Sequence, residues 1–331
     1  MGYHQKRILR PRKYWDTLDG TLDFSGDAGM LLYYNSSHRV LPPGVTMTRA
    51  ADNSYTQGRD GLWVPASANT DRYGSGKLLI EPAITQPLNN DNTGASVGTF
   101  PTYWVDQLVG AANDVVTSVV GLGDVDDELG IPYIDLNYLG SITNGATLKW
   151  NIFTNNGVYS PVTRLNDYAF SYYVKVIAGT LPSSFNTGVG TQEASDATTL
   201  IGGTFTSDYG SMGPPTSEYA RRIYVVNPSN VACTNLRVLI RNTINTAELV
   251  NVTLRFAGLM LEQGSDATSP VINGTIAGTR NADVVDFSTS SRYSATNRTV
   301  IVNGAGAAST TANWDGSLSV GQYRSVSVYK V

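Results

Sequence analysis

The chain has 331 residues, a formal net charge of −4 and only 15% charged side chains, so it is long enough for two or three compact units and too acidic overall to coat a nucleic acid. Its one cysteine, Cys233, excludes an intrachain disulfide and a cysteine-built zinc site, and no apolar run reaches the length of a membrane-spanning helix. With 33 Gly, 19 Tyr and many Ser, Thr and Asn, the composition favours strands joined by turns over long exposed helices.

Residues 1–26 read as a basic arm. Lys6, Arg7, Arg10, Arg12 and Lys13 come without an acid, and Tyr14 and Trp15 follow. The arm lacks an apolar face and cannot fold alone. Either it docks on an acidic partner surface through charge and aromatic anchors, or it is an ordinary loose chain end. No signal-peptide core follows these charges, so synthesis in a cytosol without secretion is expected.

Residues 27–88 are dense in turn formers, such as Pro42-Pro43-Gly44 and Gly58-Arg59-Asp60-Gly61. Short apolar pieces lie between them at Met30–Tyr34, Leu62–Val64 and Leu78–Ile80. This spacing predicts short strands with tight connections and not helices. Residues 89–275 carry the clearest period of two. Tyr168, Phe170, Tyr172, Val174 and Val176 alternate with Ser171, Tyr173 and Lys175; Leu236, Val238 and Ile240 alternate with Arg237 and Arg241; Val250, Val252, Leu254 and Phe256 alternate with Asn251, Thr253 and Arg255. These predict half-buried antiparallel strands, while Ser183–Thr199 and Gly202–Ser217 read as long loops. Residues 276–331 alternate again at Arg298–Asn303 and Ser325–Val331. The fold class expected is all-β, a sandwich with β-rich flanks.

Enzymatic motifs are absent. His4 and His38 are the only histidines, and there is no Gly-x-Ser-x-Gly, no Walker loop and no Gly-x-Gly-x-x-Gly. No catalytic residue and no cofactor are expected. In Asp124-Val125-Asp126-Asp127-Glu128, the alternating Asp124, Asp126 and Glu128 resemble half of a calcium loop but lack its glycine and its bidentate glutamate, so a solvated acidic turn is the simpler reading. Several aromatics lie beside polar residues, and a sugar can rest its C–H face on such rings; Trp104, Tyr133, Trp150 and Tyr159 are the candidate glycan contacts, with core packing as the alternative for each.

The segment Lys77-Leu78-Leu79-Ile80-Glu81-Pro82-Ala83 resembles the leucine-leucine-isoleucine-glutamate-x-alanine stretch of tailed-bacteriophage virion structural proteins: head fibres, head spikes and tail-fibre-like proteins. There it follows a Thr-Arg-rich stretch, here Val45–Asp52 and Gly61–Trp63, and precedes a lectin-like, concanavalin-like jelly roll. Leu261–Gly264, Ala267–Pro270 and Thr279-Arg280-Asn281-Ala282-Asp283 are similar to the segment leaving that jelly roll. Phe170–Lys175 is similar to its central strand, and Trp104 falls where a tryptophan is expected. The resemblance covers about residues 45–286, with departures at Ile84 and Asn281.

It implies an attachment or collar segment over 27–88, and a jelly roll over 89–275 that contacts a host-surface glycan from the outer face of a virion assembled in the host cytoplasm. Capsid or tail proteins would be the partners, and a trimer or another symmetric homo-oligomer the assembly. Neither nucleic-acid binding nor membrane insertion is implied. A capsid decoration protein and a polysaccharide-cleaving glycosidase are the alternatives. Irregular chain on the flank of a jelly roll must be tied down, so Arg49 with Asp52 and Arg280 with Asp283 are expected to form guanidinium–carboxylate clasps.

Overall fold

Alternating side chains can bury one face only in extended chain, and every helix or strand among the described residues is a β-strand. The computed structural model describes residues 21–23, 30–33, 46–50, 53–58, 60–70, 72–74, 77–109, 114–141, 148–201, 213–244, 249–274, 278–286, 298–304, 311–313 and 321–330. No helix among them is long and apolar enough to cross a membrane. Two compact units divide the chain: residues 1–83 with 280–331, and residues 84–279. Residues 27–83 of the segment read as 27–88 and residues 280–331 of the segment read as 276–331 thus fall in one unit.

In the second unit the strands are β1 (Val105–Val109), β2 (Val116–Gly123), β3 (Tyr133–Ser141), β4 (Leu148–Phe153), β5 (Ser160–Pro161), β6 (Tyr168–Thr180), β7 (Asn186–Ala194), β8 (Ala220–Val226), β9 (Asn235–Ile244) and β10 (Leu249–Gln263). One antiparallel sheet runs β2-β3-β10-β6-β8. The other places β4 and β5 along β9, with β1 outside β4, and β7 pairs β9 as well. From β3 to β10 the chain switches sheets at each step apart from the β4–β5 pair, which is the winding of a jelly roll. The domain is therefore an all-β jelly-roll sandwich.

The core lies between the sheets. Phe170, Tyr172 and Val174 from β6 meet Val252, Leu254 and Phe256 from β10, and Leu236, Val238 and Ile240 from β9 close the other side. Each such side chain contributes roughly 1.5–3 kcal/mol on burial. Two polar contacts cross it: Asn242 Nδ2 donates to Tyr138 Oη at 2.9 Å, and Tyr172 Oη lies 3.2 Å from Thr187 Oγ1. Burial pushes the Tyr172 phenol up to about 12, so it stays protonated and able to donate.

One expected loop is a strand. Within Ser183–Thr199 the chain forms β7, buried at every position after Asn186. A strand covered on both faces needs no alternation, so its Gly, Thr and Gln gave no periodic signal.

In the first unit a seven-stranded sheet joins Thr21–Asp23, Met30–Tyr33, Gly321–Lys330, Arg298–Gly304 and Thr311–Asn313, with Lys77–Ile80 added beside Gly321–Lys330 and Arg72–Gly74 beside Lys77–Ile80. Separately, Thr46–Thr48 pairs with Val284–Asp286, and Tyr55–Gln57 with Trp63–Pro65.

Candidate functional site

The outward face of the β2-β3-β10-β6-β8 sheet gathers rings and charges. Because Leu254 and Phe256 turn inward, Arg255 turns out, opposite Asp135 on β3 and Lys175 on β6. Its Nε donates to Asp135 Oδ1 at 2.7 Å and its Nη2 to Oδ2 at 2.8 Å, a two-point clamp. Nη1 donates to Asp126 Oδ2 at 3.0 Å, and the guanidinium carbon lies 3.7 Å from the Tyr133 ring centroid.

Around this centre the pattern repeats. Tyr219 Oη donates to Asp126 Oδ2 at 2.8 Å, and Lys175 Nζ sits 4.4 Å from the Tyr219 ring while donating to Glu128 Oε1 at 2.6 Å. Tyr173 meets Tyr219 edge to face at 6.4 Å, and Arg221 lies 5.3 Å from the Tyr173 ring with its Nη2 on Ser171 Oγ at 3.1 Å. Half-exposed Tyr133, Tyr173 and Tyr219 thus alternate with Arg255, Lys175 and Arg221.

Local sequence makes room for this. Gly121 and Gly123 on β2 face Asp135 and Tyr133. A Cβ at Gly121 would fall 2.7 Å from Asp135 Oδ2, and one at Gly123 would fall 2.6 Å from Tyr133 Cε1, so these side chains lie directly over bare backbone. The electrostatics follow the contacts. Burial pushes the Asp126 carboxyl up, but hydrogen bonds from Tyr219, the Glu128 and Leu129 amides and Arg255 outweigh it and hold the group below the usual aspartate range. The bonds to Asp135 hold Arg255 above its ordinary value against its own desolvation.

Of the sites read from the sequence, Tyr133 lies in this cluster. Asp126 lies there too, its oxygens spent on Tyr219, Arg255 and the Glu128 and Leu129 amides, Glu128 gives Oε1 to Lys175, and Asp124 is exposed nearby. The acidic run therefore packs as an ion-paired turn, and no group of three metal-binding side chains occurs among the described residues. Trp104 is corrected from surface platform to core: it is 4% exposed, packs with the sandwich interior, and donates its Nε1 hydrogen to Asn89 O at 3.2 Å. Tyr159 is also covered, 7% exposed, and its backbone N–H donates to Ala197 O at 2.7 Å. Trp150 sits on β4 opposite Asn242 and Leu108, with its side chain outside the described residues. Lys6, Arg7, Arg10, Arg12, Lys13, Tyr14, Trp15 and Asp52 also lie outside them.

The clasps form with different partners. Arg49 Nη1 reaches Asp283 Oδ1 at 3.3 Å, and Arg280 Nη1 reaches Glu81 Oε2 at 3.1 Å while Nε and Nη2 hold Pro82 O at 3.3 and 3.1 Å. Arg72, which carried no signal in the sequence, bonds both carboxylates: Asp283, and Glu81 at 2.8 Å. Arg280 and Asp283, expected to pair with each other, are joined through Arg72 and Glu81 instead.

No family model matches the chain, and no curated protein matches its sequence. Among solved structures it is similar to the enzymatically active domain of bacteriophage CBA120 tailspike protein 4 (TM-score 0.31, 10% identity, 49% of this chain and 20% of that one). It is also similar to the CBM22-1 xylan-binding domain from Paenibacillus barcinonensis (TM-score 0.30, 11% identity, 54% and 94%) and to a cyclase from Fischerella sp. TAU (TM-score 0.36, 12% identity, 56% and 100%). The chain spans about a fifth of the tailspike domain's length. At these values the likenesses assign neither ligand nor activity, and the fold rests on the strand order above.

Proposed function

We propose that the jelly roll is a carbohydrate-binding domain and that the chain is a structural protein of a tailed-phage particle, carried as a head fibre, head spike or tail-fibre-like projection. The observation supporting the first part is the face around Arg255. Half-exposed Tyr133, Tyr173 and Tyr219 offer ring surface to a sugar's C–H face, and the exposed Glu128 carboxylate, which gives Oε1 to Lys175, keeps lone pairs for hydroxyls. Their mutual bonds fix the side chains beforehand, which lowers the entropy lost on binding. Support for the particle comes from the sequence resemblance through Lys77–Ala83 and Thr279–Asp283.

In this reading the basic arm at 1–26 attaches to capsid or tail proteins, the assembly is a symmetric homo-oligomer with a trimer favoured, and many copies multiply a weak single-site affinity. A glycan array with the full chain tests the domain. Binding lost in Tyr133→Ala/Tyr173→Ala at unchanged melting is expected; binding retained in that variant rejects the face. Labelling the chain on purified particles tests location. Shells that weaken without the chain, in the absence of glycan binding, would assign a decoration role instead, and release of reducing ends from polysaccharide would assign an enzyme.

A further inference from the structure

The outward face of the other sheet holds a cation that pairs with no carboxylate among the described residues. On β9, Leu236, Val238 and Ile240 point into the core, so Arg237, Leu239 and Arg241 point out, beside Gln192 on β7 and Phe153 and Asn151 on β4. The Arg237 guanidinium carbon lies 3.4 Å from the Phe153 ring centroid and 5.8 Å from that of Tyr159. Two amide oxygens orient it: Nη1 donates to Gln192 Oε1 at 3.1 Å and Nη2 to Asn156 Oδ1 at 2.5 Å. No carboxylate pairs with it among the described residues, in contrast to Arg255, which holds both Asp126 and Asp135.

Unused donors lie along this face. Arg237 Nε is buried without an acceptor, and so is Asn151 Nδ2, whose Oδ1 is taken by Arg241 Nε at 2.7 Å. Desolvation lowers the Arg237 pKa, opposed by Tyr159, so the site gains from any anion that restores the lost solvation. At the rim, Asn156 also donates its backbone N–H to Tyr103 O at 2.8 Å. Tyr103 is 37% exposed and held at φ 70°, a left-handed conformation unusual for a tyrosine, and Val105 beside Phe153 is 41% exposed.

We propose that Arg237, set by Asn156 and Gln192 and stacked on Phe153, is a binding site for the carboxylate of an acidic saccharide, with Tyr103 as the ring that meets the sugar's apolar face. A guanidinium offers five N–H donors in a planar fork that suits a carboxylate, and two of Arg237's nitrogens are already steered by amide oxygens that cannot neutralise it. This site lies on the opposite sheet from the Arg255 face. It rests on the carbohydrate reading and adds to it the chemical class of the ligand.

The test is an array of matched neutral, uronic-acid, sulfated and phosphorylated oligosaccharides, read with the wild-type chain and with Arg237→Gln, Arg237→Lys and Tyr103→Ala. Expected are uronic-acid binding that falls about tenfold or more in Arg237→Gln, partial retention in Arg237→Lys, and unchanged neutral-sugar binding. Arg237→Lys keeps the charge and the apolar stem, so it reports on the fork even if Arg237→Gln uncovers Phe153 and unfolds. Equal binding of neutral and carboxylated sugars, unaffected by Arg237→Gln, overturns this proposal and leaves the carbohydrate reading standing. Preference for sulfate or phosphate overturns the carboxylate assignment; no binding to any sugar overturns both.

Discussion

Arg72 and Asp283 stand 211 positions apart and meet side by side, Nε of the arginine donating to Oδ1 at 3.2 Å and Nη2 to Oδ2. Neither side chain is exposed. The same carboxylate accepts from Arg49 Nη1 and from the Glu81 amide at 3.0 Å, while Arg72 also holds Glu81. One aspartate thus serves two buried arginines and a backbone amide.

Removing that aspartate takes a shared buried carboxylate from Arg49 and Arg72, with Glu81 still on Arg72. Asp283→Ala is expected to cost about 3–5 kcal/mol, the loss typical of breaking a buried pair from one side, and Arg280→Ala less, since Glu81 keeps Arg72. Urea unfolding followed by tyrosine and tryptophan fluorescence measures both; equal, small shifts would refute the network.

Acid should weaken the Arg255 cluster. The Asp126 carboxyl is held below its unfolded value, so its stabilisation is fully present above the ordinary aspartate range near 3.8 and is lost as pH falls through the lower folded value. Asp126→Asn is expected to flatten the acid limb of melting temperature against pH, with little pH dependence of its own penalty above pH 6.

Backbone approach sets a harder limit at Gly179. Its φ is +81°, next to the bulge between Val176 and Ala178, and a Cβ there would run into the Asn251 carbonyl across the ladder. Gly179→Val is expected to abolish or severely reduce soluble expression, and Gly179→Ala to lower the melting temperature by several degrees, on the order of 1–3 kcal/mol.

Trp104 separates packing from ligand contact. Trp104→Phe keeps most of the ring and loses the bond to Asn89 O, an expected penalty of about 1 kcal/mol, whereas Trp104→Ala should cost about 3–5 kcal/mol. Glycan binding by the folded phenylalanine variant should match wild type.

Cys233 is buried, and its thiol is pushed up by that burial and by Glu193. Alkylation by iodoacetamide at pH 7.5 should be slow in the native chain and rapid after unfolding. Fast native labelling would contradict the burial.

Period-two alternation was enough to read β6, β9 and β10 from the sequence and to say which of Phe170, Tyr172, Val174, Leu236, Val238 and Ile240 face inward, because burial of one sheet face imposes that period directly. That the described residues would be strands and not long helices was legible in the composition, rich in Gly, Tyr, Ser, Thr and Asn. Tertiary structure decided the rest. Arg49 found Asp283, and Arg280 found Glu81, since the partner of a buried charge is chosen by which strands lie side by side rather than by spacing along the chain. Trp104 went to the interior, Tyr159 was covered beside Arg237 on the outward face of the second sheet, and Tyr133 stayed half-exposed, and only the direction each strand or turn takes distinguishes them. Arg237, one alternating residue among many, meets two amide oxygens and, among the described residues, no carboxylate, because the fold brought Gln192 and Asn156 to it.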